Sequence, residues 1–95
     1  MTYDLFVEQL SKLNEAFSIT GKAKYDSICI SNDRVEYVRE KTGNKEFLLL
    51  SELFEFAKKE SAINTIIARD YISGRKYSPA CAILIAAGVC EYLKE

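Results

Sequence analysis

Apolar residues recur at intervals of three and four from the start of the chain: Tyr3, Phe6, Val7, Leu10, Leu13 and Phe17. That spacing predicts one amphipathic helix over residues 3–17. Thr2 is placed to cap it, Asp4 suits the positive end of its dipole, and Glu8 with Lys12 makes an i,i+4 pair. From Tyr25 the pattern alternates instead. Tyr25 to Ser31 carries Ile28, Cys29 and Ile30, and Asn32-Asp33 offers a two-residue turn. Arg34 to Glu40 puts Val35 and Tyr37 on one face and Arg34, Glu36 and Val38 on the other. Thr42-Gly43-Asn44 is a second turn, followed by a strand from Phe47 to Leu50. Three strands on tight turns make an antiparallel meander.

Helical spacing returns at Ser51, a suitable N-cap, with Glu52 and Glu55 in the first turn and Lys58 and Lys59 in the last. Leu53, Phe54 and Ala57 form its apolar stripe, with Phe56 at the edge. A short helix follows from Thr65 to Ser73, capped by Asn64 and ended by Gly74. Ser78-Pro79 reads as a cap and first helical position. Residues 80–87 are apolar on every side, which places that helix at the centre of the packing. The tail from Glu91 is polar apart from Tyr92 and Leu93. The expected fold class is α+β: an N-terminal helix, a three-stranded antiparallel β-meander and three C-terminal helices packed on one sheet face, as a single domain over 1–95.

Composition narrows the chemistry. The 95 residues carry 13 Lys and Arg against 14 Asp and Glu, so no global field draws polyanions. There is no His, which removes imidazole-based nucleophilic catalysis and every His-containing zinc site. The three cysteines, Cys29, Cys81 and Cys90, are too few for an all-thiolate zinc site and too odd in number for a disulfide framework. Each has apolar neighbours and reads as a small buried hydrophobe; Cys81, near Arg75 and Lys76, comes nearest to a reactive setting. The expectation is a reduced, cytoplasmic protein with no cofactor and no metal. No basic-then-apolar leader opens the chain, and its longest apolar run, the eleven residues 80–90, falls short of the ~20 that span a bilayer.

Four features invite a functional reading. Residues 64–73 and 78–88 have the outline of a helix-turn-helix, but the second helix carries nothing able to read a base edge. The loop Gly74-Arg75-Lys76-Tyr77-Ser78-Pro79 sets two cations before a helix start, where a phosphate or carboxylate could sit. Residues 21–45 carry a local excess of two positive charges, with Tyr25 and Tyr37 available to stack on bases, although acidic residues are interleaved. Six Tyr and five Phe exceed what a small core must hide. Aromatic and Arg side chains anchor protein interfaces, which makes Phe56, Tyr71, Arg75, Lys76, Tyr77 and Tyr92 the candidate partner-binding residues.

These features point to a non-enzymatic interaction module, of adaptor or inhibitor type, that binds a protein partner or a second copy of itself. The alternative is a small nucleic-acid-binding accessory protein using Arg75, Lys76 and the basic turns. The order of helix, three strands and helices resembles in outline small phage-encoded inhibitors of bacterial defence nucleases, although this chain lacks the strong acidity common among them. The resemblance implies an accessory protein that acts by binding.

Overall fold

The computed structural model describes residues 1–94. Helix α1, Tyr3–Ser11, starts as its sequence directs: Thr2 Oγ1 accepts the Leu5 N–H at 3.2 Å. It ends six residues before the expected end. Ala16–Phe17 is a strand, β1, not a fifth helical turn. The Asn14 carbonyl accepts the Ile28 N–H at 3.0 Å and the Ser18 N–H donates to Ala23 at 2.9 Å, so the segment joins a sheet. Gly21, at φ +74°, reverses the chain in between, a conformation that favours glycine. Ladder bonds made across the fold outweigh a helical periodicity that the sequence carries as far as Phe17.

The sheet has four strands, one more than expected, in the order β1–β2–β3–β4, all antiparallel. Strands β2 (Lys24–Ser31), β3 (Arg34–Arg39) and β4 (Asn44–Leu49) are the meander read from the sequence, with turns at Asn32-Asp33 and around Gly43. β4 starts three residues earlier than expected. Val35 and Tyr37 point inward and are fully buried, as their alternation requires.

β2 breaks its own alternation. Asp26 pairs with Val38 and Cys29 with Glu36, which leaves Ser27 and Ile28 both opposite Tyr37. The bulge, with Ser27 at φ +52°, shifts the phase by one residue. Tyr25 and Ile28 therefore both reach the core, and Cys29 turns outward. The expectation that all three cysteines are buried is corrected at this one position: Cys81 and Cys90 are buried and Cys29 is exposed.

Helix α2, Leu50–Lys59, begins directly after β4 with no side-chain cap. Its first N–H, at Leu50, donates to the Asp33 carbonyl at 2.8 Å, so Ser51 lies inside the helix instead of capping it. Two neighbours flank α2. Phe54 meets Phe6 and Tyr3, with ring centroids 5.3 and 5.2 Å away, and stays half-buried. Phe56 stacks on Tyr71 at 4.9 Å and is fully buried, so the expected assignment of stripe and edge is reversed between these two residues.

Asn64 caps α3 as expected, accepting the Ile67 N–H at 2.9 Å, but α3 is a single turn, Thr65–Ala68. Turns carry the chain on to Gly74 at φ +74°. Helix α4, Tyr77–Ala86, is the buried central helix that its composition demands, with Pro79 to Leu84 all in the core. It starts before the expected cap: Lys76 is the N-cap residue, and the Ser78 hydroxyl accepts from Tyr25 instead, at 3.1 Å. Pro79 remains in the first turn, where an N–H has no helical acceptor to lose. Residues 91 and 92 form a strand as well. Strand β6, Glu91–Tyr92, pairs in parallel with β5, Ala62–Ile63. No helix among the described residues is long and apolar enough to cross a membrane.

Candidate interaction surfaces

The densest polar cluster is partly buried. Arg39 grips Glu46 with Nε and Nη2 at 3.2 and 3.1 Å, and the Tyr37 hydroxyl donates to the same carboxylate at 2.9 Å. Arg39 also lies 5.4 Å from the Tyr25 ring centroid, and Tyr25 meets Tyr37 edge to face at 5.5 Å. The Arg39 hydrogen bonds hold the Glu46 carboxyl below its ordinary range, and burial, followed by the Glu46 bond, pushes the Tyr37 phenol up. Both carboxylate oxygens are occupied and the phenol is held neutral, so neither group is poised to move a proton. The cluster ties β3 to β4, and Tyr25, whose ring it meets, donates to Ser78 at the start of α4.

The second feature is apolar and open. Phe17, Ser18 and Ile19 at the end of β1, Ala82 and Ile85 of α4, and Tyr92 of β6 line a groove of ≈ 320 Å³. Phe17 is 55% exposed, Tyr92 42% and Ile19 38%. A second cleft is formed by Met1, Leu5 and Gln9 with Ala87, Gly88 and Val89, the residues just past the end of α4, and there Leu5 is 51% exposed. Ala86 and Gly88 are exposed and small, which allows close approach. Large apolar side chains gathered around one helix end differ from apolar residues scattered singly over a surface.

The third feature is a charged cleft of ≈ 300 Å³ between β3, β4, the start of α2 and the segment leading into α4. The Arg34 guanidinium sits 4.2 Å from the Phe47 ring centroid and the Lys76 ammonium 4.4 Å from it. Lys76 Nζ also donates to the Phe47 carbonyl at 2.7 Å. On the facing wall Glu52 accepts from the Ser73 N–H at 3.1 Å and from its hydroxyl at 3.0 Å. The basic turn and the basic loop singled out in the sequence therefore meet at one ring.

The six sequence candidates divide among these regions. Tyr92 lines the apolar groove and Lys76 the charged cleft. Arg75 is exposed at φ +58° beside that cleft. Tyr77 is half-buried against the core. Tyr71 is half-buried and donates to Glu60 at 2.6 Å, a bond that pushes its phenol up to about 12. Phe56 is in the core and offers no surface. Cys81 is fully buried and so lacks the exposed setting of a reactive thiol, and burial pushes the Cys90 thiol up to about 11.

Sequence reasoning missed Phe17, Ile19 and Phe47 as surface residues, and placed Arg34 only among the basic residues of the meander. The run Ser18-Ile19-Thr20, rich in strand-formers after Asn14, was the available signal against helix at Phe17. Nothing local links Arg34 to Lys76. No protein-family model, curated protein or solved structure matches the chain.

Proposed function

We propose that this chain is a non-enzymatic interaction module of the cytoplasm, of adaptor or inhibitor type, which binds a protein partner or a second copy of itself. The observation that carries this reading is the exposure of Phe17, Ile19 and Tyr92 around one groove. An aromatic pair flanking a groove floored by small and branched apolar residues is the composition of an interface centre. The absence of His and the fully occupied Arg39–Glu46–Tyr37 cluster support a binding role over acid–base chemistry. The odd count of three cysteines, with no disulfide among the described residues, supports a reducing compartment.

The test is capture from a lysate of the source cell, with and without nuclease, together with light scattering of the purified chain. Wild type is compared with a Phe17→Ser/Tyr92→Ser double variant. Retention of one defined protein after nuclease, or a dimer, lost in the double variant with unchanged circular dichroism, supports the reading. Equal retention by both proteins sinks it. The nucleic-acid alternative is favoured by one observation, the convergence of Arg34 and Lys76, and predicts capture that vanishes on nuclease treatment.

A further inference from the structure

We propose that the charged cleft is a carboxylate-recognition site, in which Arg34 and Lys76 hold one acidic side chain of a protein segment across the ring of Phe47. The site shares no residue with the apolar groove, so this inference goes beyond the functional reading above and stands or falls separately.

The first argument is electrostatic accounting. The other cations of the meander strands have carboxylates: Lys24 meets Glu15 and Glu40, Arg39 meets Glu46, and Lys45 meets Glu36. Arg34 and Lys76 have none within 4.0 Å among the described residues, yet both converge on one ring. Two cations gathered on one ring repel, and an anion that reaches both relieves that repulsion. Donors remain to bind it. Arg34 keeps a planar fork that fits both oxygens of a carboxylate, and Lys76 has given only one bond, to the Phe47 carbonyl at 2.7 Å.

The walls select the class of anion. Leu49, half-buried, lines the cleft beside the cations and suits an acidic residue with an apolar neighbour. Glu52, fixed by its two bonds from Ser73, places a negative charge on the facing wall. One ligand charge is accommodated between the cations, while further charges meet Glu52. A polyphosphate backbone carries a charge at every nucleotide and is disfavoured for that reason.

The test is a titration of the 15N-labelled full chain followed by amide and Arg Nε resonances. The probes are the blocked tripeptide acetyl-Leu-Glu-Leu-amide, its Gln counterpart, inorganic phosphate and a ten-nucleotide oligothymidylate. Saturable shifts at Ser73, Gly74, Lys76 and Arg34 Nε with the Glu peptide are expected, about tenfold weaker with the Gln peptide. Arg34→Gln and Lys76→Met should each weaken the Glu peptide about tenfold, measured at a concentration where each variant sediments as a monomer and with resonances distant from the cleft unmoved. The Met variant retains the apolar stem on Phe47. Equal response to the Glu and Gln peptides, absence of saturation, or tighter binding of phosphate or the oligonucleotide at these resonances would overturn the proposal.

Discussion

β1 and β4 both end the sheet, yet they treat their free edges in opposite ways. β4 is six residues long, and its edge carbonyl at Phe47 is taken by Lys76, whose side chain wraps from the segment before α4. Cations from two elements cover the ring on that strand. β1 has two residues; its bonded partners alternate, so Phe17 turns its backbone groups away from β2 while its side chain is 55% exposed. A long edge is a template for unwanted pairing and is protected; an edge of two residues is too short to need it. The apolar surface left open is therefore at β1, beside a groove, while the backbone edge of β4 is capped by a cation.

The comparison can be broken most severely from inside β4. Glu46→Gln removes the charge that Arg39 grips with two bonds, and a loss of about 2 kcal/mol in denaturant unfolding is expected from charge-assisted bonds in a partly buried setting. Its pH dependence has a definite sign. The folded Glu46 pKa lies below the unfolded one, so its contribution is present above the ordinary carboxylate range and fades as pH falls through the lowered value. The gap between wild type and Glu46→Gln should accordingly narrow in acid. Tyr37 acts at the other extreme: its raised pKa means that stability declines as pH rises past the ordinary phenol value.

Lys76→Ala opens the protected edge. A loss of about 1 kcal/mol from the bond to the Phe47 carbonyl is expected. Concentration-dependent association should follow, visible by sedimentation, and its absence would show that β4 is shielded by something other than Lys76. On the β1 side, Ser27→Gly relieves a left-handed backbone at the bulge and should raise stability by roughly 0.5–1 kcal/mol. The smallest change in stability belongs to Phe17→Ser, within about 0.5 kcal/mol in thermal or denaturant melts. That variant sharpens the comparison, because a residue that adds little to folding while remaining exposed is the one expected to affect partner capture.

Much of the fold was legible because its signals are local. The turn at Asn32-Asp33, the inward faces of Val35 and Tyr37, the Asn64 cap and the buried helix after Lys76 all depend on residues within a few positions of one another. The errors came where a distant segment supplied the deciding bond. Ser51 and Ser78 resemble caps, but Leu50 bonds to Asp33 and Ser78 accepts from Tyr25. The candidate sites were partly legible: Tyr92 and Lys76 lie on the two surfaces, whereas Phe56 was claimed by the stack with Tyr71.

Sequence alone determined the α+β class, the meander, the central position of α4 and the exclusion of imidazole chemistry, since each follows from residue type and spacing along the chain. Tertiary structure decided that Ala16 and Phe17 form an edge strand, that a bulge at Ser27 turns Cys29 outward, and that Arg34 and Lys76 share the ring of Phe47. Those outcomes depend on hydrogen bonds and charges between residues far apart in the chain, and hydrophobic periodicity carries no record of which distant partner a backbone or a cation will meet.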